Sequence, residues 1–358
     1  MQFSIFVQTN IKEWQLSKEA EDLGYDACWF PDSQMIWSDC YATMAVAAQN
    51  TSRIRLGTGV SIPGTRIAPV TAHSIATVNQ LAPGRVFLGL GTGHTAMRVM
   101  GQKPMRLKDF REYLRVVRAL LQGEEVDYTF DGNTRSIQFL HEGMGFRNLE
   151  DPIPIYIAAN GPKTLQLVGQ LGDGFVTLMG ESEEMFTYNS GMIREGANNA
   201  GRIMPEDFNF TALVSPVILK KGETLKSDRI IDTAAAYAVC MLHYVYEVYE
   251  LSKNEEVIPE FLRGIWEEYS QHVGRMTLPP EKRFRQIHEG HATFCTPEER
   301  KFVTPEVIEG TCLVGSENEI IEKIHKSESL GITEIGIVGP LETYREVLND
   351  FSHLISRY

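Results

Sequence analysis

The chain has 358 residues, 43% of them hydrophobic and 23% charged, with a formal net charge of −13. That length and apolar share suffice for a large core, and the acidic balance argues against nucleic acid as the main partner, since no basic excess is there to neutralise phosphates. Five scattered cysteines, Cys28, Cys40, Cys240, Cys295 and Cys312, form neither the close pairs of a zinc site nor a disulfide framework and read as reduced cytoplasmic thiols.

The N-terminus runs from Met1 into Gln2, Phe3, Ser4 and Ile5, without the basic region and long apolar run of a signal peptide. No apolar run is long enough to span a bilayer, so a soluble protein is expected, with no membrane partner. Gln2 to Gln8 reads as a strand, and Trp14 to Leu23 repeats apolar positions at helical spacing until Gly24 stops it. Ala27 to Phe30 is a short apolar strand ending in Pro31-Asp32. A helix over Tyr41 to Gln49 precedes a strand over Ile54 to Val60, and a helix over Val70 to Leu81 precedes a strand over Arg85 to Leu90. After a less regular stretch come a strand over Ile153 to Ala159, a helix over Thr164 to Gln170 and a strand over Gly174 to Leu178. Near the end, Thr311 to Val314 precedes a helix over Glu317 to Leu330 and a last strand over Glu334 to Val338.

Strand and helix alternating with short turns is the mark of parallel βα units. A doubly wound sheet gives the same alternation, but recurrence over the full length, with a strand near each end, better suits an α/β fold of the (β/α)8 TIM-barrel type over residues 1–358, with both chain ends in one wall. Two regions break the rhythm. Around Asp131-Gly132-Asn133 a turn joins Tyr128 to Phe130 with Ser136 to Phe139, a small antiparallel excursion. From about Glu181 to Pro305 run charged helices and a tyrosine-rich stretch, Tyr237, Tyr244, Tyr246 and Tyr249, read as packing or as a substrate contact.

Four strand ends can carry chemistry. Asp32, followed by Ser33 and Gln34, either caps the next helix or accepts a ligand donor. The glycines of Gly57-Thr58-Gly59-Val60 remove bulk, so a flat ring could lie against the backbone, or they mark a bulge. Gly89-x-Gly91-x-Gly93 has the wrong spacing and position for a dinucleotide fingerprint. His94 behind it can exchange a proton near neutral pH or make a structural hydrogen bond. Asn160-Gly161-Pro162-Lys163-Thr164 opens a helix, where free N–H groups beside Lys163 suit a phosphate, although an ordinary strand-to-helix connection uses the same residues.

Taken in order, "WFPDSQ", "RIRLGTGVSIPGTRIAPVTAHSIATVNQLAPGRVFLGLGTG", "PIPIYIAANGPKTLQLVGQLGDGF" and "GITEIGI" resemble the bacterial luciferase-like family over nearly the whole chain. The deazaflavin-dependent branch is the nearest, with its glucose-6-phosphate dehydrogenases and methylenetetrahydromethanopterin reductases. The resemblance implies a dimeric TIM barrel holding coenzyme F420, or alternatively FMN, at the C-terminal mouth, and a small-molecule substrate. It assigns Asp32 to the polar edge of the cofactor and Gly59-Val60, after Thr58, to a non-proline cis peptide under the ring. Asn160, Gly161 and Thr164, with Lys163 close by, would take the cofactor phosphate.

In the sugar-phosphate dehydrogenases of that branch a histidine follows the aspartate and a glutamate follows Gly-Thr-Gly; Ser33 and His94 stand there in this chain. Met97, a cofactor-binding candidate, replaces an asparagine of that subgroup, a departure that loosens the match to it, and Trp37 matches an aromatic that would wall the substrate cavity. The expected chemistry is hydride transfer from or to the deazaflavin, with His94, Ser33 and Trp37 as candidate catalytic residues and no metal. The alternatives are an FMN-dependent monooxygenase using oxygen and a nonenzymatic flavin-binding protein.

Overall fold

The computed structural model describes residues 1–177 and 182–358. Eight parallel strands close into a barrel: β1 (Gln2–Phe6), β2 (Ala27–Phe30), β3 (Arg55–Thr58), β4 (Val86–Leu90), β7 (Ile155–Ala158), β8 (Gly174–Thr177), β9 (Asn209–Val214) and β12 (Glu334–Ile337). Their order around the barrel is β1, β12, β9, β8, β7, β4, β3, β2. The chain ends therefore share a wall, as expected, with the Gln2 N–H donating to the Thr333 carbonyl at 2.8 Å. β5 (Val126–Phe130) and β6 (Asn133–Ile137) form the antiparallel hairpin, and β10 (Pro216–Ile218) pairs in parallel with β11 (Leu313–Gly315) in a separate two-stranded sheet.

Two expectations need correction. The strand expected at Thr311 to Val314 is not part of the barrel; it is observed as β11, outside it. Its place is taken by β9, inside the stretch read as irregular. Asn-Phe-Thr-Ala-Leu-Val is buried almost throughout, so it lacks the alternation that marks a half-exposed strand, and a buried run that short is ambiguous by period. The strand read to Leu178 ends at Thr177; Leu178, Gly180 and Glu181, where the second irregular region begins, lie outside the described residues.

The helices are α1 (Gln15–Asp22), α2 (Cys40–Asn50), α3 (Ala68–Leu81), α4 (His94–Arg98), α5 (Leu107–Leu121), α6 (Pro162–Leu171), α7 (Glu183–Asn199), α8 (Asp228–Ser252), α9 (Glu260–Arg263), α10 (Trp266–Gly274), α11 (Phe284–Ile287), α12 (Pro305–Thr311), α13 (Glu317–Leu330) and α14 (Tyr344–Arg357). α5 buries Phe110, Tyr113, Leu114, Val117 and Leu120 on one face, a helical period that the reading of that stretch as irregular passed over.

Contacts gather the described chain into two compact units. The first holds Met1–Thr177, residues 182–212 and Leu330–Glu334. Its core is aromatic: Phe6 stacks on Trp29 at 4.8 Å, Phe87 meets Trp29 at 4.5 Å, and Tyr156 lies 5.2 Å from Phe87. Two strand glycines make room for this packing. A Cβ on Gly57 would fall 2.1 Å from the Phe87 ring, and one on Gly89 would fall 2.1 Å from the Thr58 carbonyl.

The second unit holds Leu213–Ser329 and Ile335–Tyr358. Ile230, Ala234, Ala238 and Leu242 of α8 pack with Leu262, Tyr269, Phe302 and Val307. The tyrosine stripe serves this packing: the Tyr237 hydroxyl donates to the Leu213 carbonyl at 3.2 Å, while Tyr246 and Tyr249 lie 6.2 and 5.4 Å from Trp266. Two buried pairs, His243 with Glu299 at 2.7 Å and His288 with Glu247 at 3.1 Å, cross the same core. Among the described residues no helix is long and apolar enough to cross a membrane.

Candidate active site at the strand ends

The loops after β2, β3 and β4 are tied together within the first unit. Asp32, two residues past the end of β2, is 3% exposed. It does not cap α2; Asp39 does, accepting the Ala42 N–H at 2.9 Å. Asp32 Oδ2 accepts the Ser61 hydroxyl at 2.8 Å and forms an ion pair with Arg66. Burial, and then the Asp32 charge, push the neighbouring Cys40 thiol up, so it stays protonated.

Ser33 is buried, and its carbonyl accepts the N–H groups of Ile36 and of half-buried Trp37 in a tight turn. Gln34 reaches across to the next loop but one: its amide Nε2 donates to the Ala96 carbonyl at 3.0 Å, while its buried Oε1 has no hydrogen-bond partner among the described residues.

After β3 the chain passes through a cis Gly59-Val60 peptide. Thr58 is fully buried and its hydroxyl donates to the Gly89 carbonyl at 2.6 Å, which spends that side chain on β4. The side of Gly59 that a Cβ would take is filled by Trp29 and Phe6, and that of Gly91 by Val60. These glycines therefore admit barrel side chains at their Cβ positions.

Gly93 has φ 86°, a left-handed turn that a glycine takes without cost, and it opens the short helix α4. His94 is half-buried there, and Arg98 Nε donates to its Nε2 at 3.2 Å. A guanidinium cannot accept, so Nε2 does, and the ring proton sits on Nδ1. Met97 packs its sulfur against Gly64, joining α4 to the loop after β3.

The fourth element stands at the end of β7, the neighbour of β4. α6 starts from Gly161 with Pro162 at its first position and no side-chain cap. Gly161 faces open space, and Asn160 and Lys163 are exposed while Thr164 is half-buried. The backbone N–H of Lys163 thus points out of an uncapped helix start, where an anion is stabilised.

Asp32, His94 and the α6 start are the candidates the sequence singles out; Ser61 and Arg66, beside Asp32, are added by the structure. The signal for Arg66 was a cation in the loop beside a strand-end acid, visible once adjacent strand ends are paired.

The sequence pattern of luciferase-like monooxygenases matches residues 11–334. The chain belongs to the luciferase-like monooxygenase family. Among its relatives, a 5,10-methylenetetrahydromethanopterin reductase of Methanolobus tindarius is 38% identical over 59% of this chain and 63% of its own length. An F420-dependent glucose-6-phosphate dehydrogenase of Kineococcus radiotolerans is 35% identical over 51% of this chain and 57% of its own length. Each match spans less than two thirds of that relative. In fold, the chain superposes on a coenzyme F420-dependent tetrahydromethanopterin reductase from Methanopyrus kandleri with a TM-score of 0.72 at 21% identity, over 98% of this chain and 97% of the other.

Proposed function

We propose that this luciferase-like protein is an oxidoreductase that transfers a hydride between coenzyme F420 and a small or medium organic substrate. What carries the reading is the arc of polar groups at the ends of β2, β3, β4 and β7, in a chain whose relatives include F420-dependent enzymes. The donor set fits a flat ring with a polar edge and a phosphate tail. The Asp32, Ser61 and Arg66 cluster and the unpartnered Gln34 Oε1 offer donors and acceptors to the edge. The uncapped α6 start offers the Lys163 N–H and a positive charge to the phosphate.

When bound, the deazaflavin supplies the two-electron hydride chemistry. This chain's residues do the rest. Asn160, Gly161, Lys163 and Thr164 would hold the phosphate, Gly59 and Val60 would support the ring, and Asp32 with Met97 would border it. Thr58, by its bond to Gly89, holds the cis turn against β4. Trp37 and Ser33 wall the substrate side. His94, with its proton on Nδ1, donates a hydrogen bond to the reacting heteroatom and polarises it, the role of a neutral imidazole beside a carbonyl. A homodimer belongs to the same reading and is checked by light scattering.

The deciding experiment titrates the purified apo-protein with F420 and with FMN, followed by fluorescence. Tighter binding of F420 is expected. Tighter binding of FMN would transfer the site to oxygen-dependent monooxygenase chemistry, and failure of both would remove the oxidoreductase reading.

A further inference from the structure

Within the Asp32, Ser61 and Arg66 cluster, Arg66 is held from three sides. Its Nη1 pairs with Asp32, its Nη2 pairs with Asp39, and its guanidinium carbon lies 4.9 Å from the centre of the Tyr41 ring. The frame behind it is also fixed. Tyr41 donates to the Ser61 hydroxyl at 3.1 Å, Ser61 donates to Asp32, and the Ser61 N–H is bound to the Gly89 carbonyl at 2.8 Å. Burial works against the cation, but the Asp32 charge and hydrogen bond outweigh it and hold Arg66 firmly protonated.

Two differences within the pair decide which partner a ligand meets. The Asp32 side chain is 2% exposed and that of Arg66 is 16% exposed. Asp32 Oδ2 already takes two donors, whereas a guanidinium carries more N–H groups than two carboxylates consume. A carboxylate so buried and balanced is a weak attraction for a further donor. A guanidinium clamped by two acids over an aromatic face is pre-organised to donate outward.

We propose that Arg66 is the residue through which this cluster binds the polar edge of the cofactor ring, and that Asp32 is its positioning partner. The proposal rests on the flavin or deazaflavin reading of the site. The ring edge in question carries two carbonyl oxygens and a ring nitrogen that accept from a guanidinium, beside one ring N–H that donates. A hydride brings an electron pair and a negative charge onto the oxidised ring, so a fixed cation at that edge binds the reduced ring more tightly than the oxidised one.

The test measures dissociation constants of oxidised and reduced cofactor by fluorescence, with melting temperature, for the wild type and four variants. Arg66→Met is expected to weaken the reduced form by about 10- to 100-fold, the range for losing a charged hydrogen bond, and the oxidised form less. Arg66→Lys, keeping the charge, is expected to recover part of the loss. Arg66→Met with Asp32→Asn removes the uncompensated acid and is expected to show the same loss, which separates ligand contact from a fault left at Asp32. Asp39→Asn, which loosens the clamp without unpairing a buried charge, is expected to weaken the reduced form by a smaller factor. A folded Arg66→Met, alone or with Asp32→Asn, that binds both forms like the wild type overturns the proposal, as does an equal loss for both forms. Failure of the wild type to bind either F420 or FMN would instead sink the parent reading, and the proposal with it.

Discussion

Trp29 Nε1 donates to Glu334 Oε1 at 2.7 Å, and both residues are fully buried. The same carboxylate accepts Ser4 Oγ at 2.6 Å, Asn209 Nδ2 at 2.8 Å and Arg55 Nη2 at 3.2 Å. Every bond comes from a different strand of the first unit, so Glu334 is the acceptor on which four strands converge. Glu334→Ala is expected to cost about 3 to 5 kcal/mol, because it leaves a half-buried guanidinium without its acid and strands three other donors. Glu334→Gln is expected to cost less, about 1 to 3 kcal/mol, since its amide restores Oε1 but turns a donor toward Asn209 and Arg55. Urea denaturation followed by Trp fluorescence measures both. A cost near zero for Glu334→Ala would mean that the cluster only fills space.

A second buried acid predicts a pH dependence. Glu21 Oε2 accepts the N–H groups of Ser52, Arg53 and Ile54 at 2.9, 2.6 and 2.9 Å. Burial raises its pKa, but the three backbone bonds and Lys18 outweigh that and leave it below its ordinary value of 4.5. A carboxyl depressed in the folded state contributes stability that is fully present above its unfolded pKa. That contribution is lost as pH falls through the lower folded value. Glu21→Gln is therefore expected to be less stable at neutral pH by about 1 to 3 kcal/mol, with the gap to the wild type closing as pH drops below 4.5. Urea titrations at a series of pH values show whether the gap closes; a constant gap would assign the loss to packing.

How much of this was legible follows from the range of each interaction. β2 and β4 could be read because buried runs end in Pro31-Asp32 or in glycines, which are local signals. Asp32 stood out for the same reason, but whether it capped a helix could not be read, because the competing cap, Asp39, depends on where α2 begins. β9 and β11 were exchanged because each is a short buried run, and only pairing tells which one joins the barrel. The Trp29 to Glu334 bond joins residues 305 apart, and no pattern within either segment announces it. Arg66 was invisible as a lone loop cation until β3 was laid beside β2.

The start of α6 yields a prediction about the phosphate. Lys163 is exposed beside a helix start that no side chain caps, so its charge and its own N–H act together on an anion. Replacing Lys163 by Ala is expected to weaken the cofactor by about 10-fold, in line with a charged hydrogen bond at a solvent-facing site. The same deazaflavin lacking its phosphate should bind the wild type more weakly and bind Lys163→Ala no worse than the wild type. Comparing the two ligands on the two proteins isolates the phosphate contribution. Equal weakening of both ligands would place Lys163 near the ring or in the fold instead.

His94 yields the prediction that bears most directly on the chemistry. Its Nε2 accepts from Arg98 at 3.2 Å, which makes the ring a donor through Nδ1. Two consequences separate this from a histidine that merely holds α4 in place. His94→Ala is expected to leave melting and cofactor affinity nearly unchanged, because the ring is only half-buried and the phosphate and ring edge are held elsewhere. Turnover should fall by about 10²- to 10⁴-fold, the range for a positioned proton donor. His94→Asn, whose amide N–H can still donate, should lie between the wild type and His94→Ala. Arg98→Met gives the second consequence. Without the guanidinium the proton can move to Nε2, so the variant should lose part of the rate. Single-turnover rates, binding and melting on one set of preparations, with a substrate that the wild type reduces or oxidises, measure all three variants. If His94→Ala keeps the wild-type chemical rate, the heteroatom is polarised by another group, and Ser33 in the loop after β2 becomes the residue to change next.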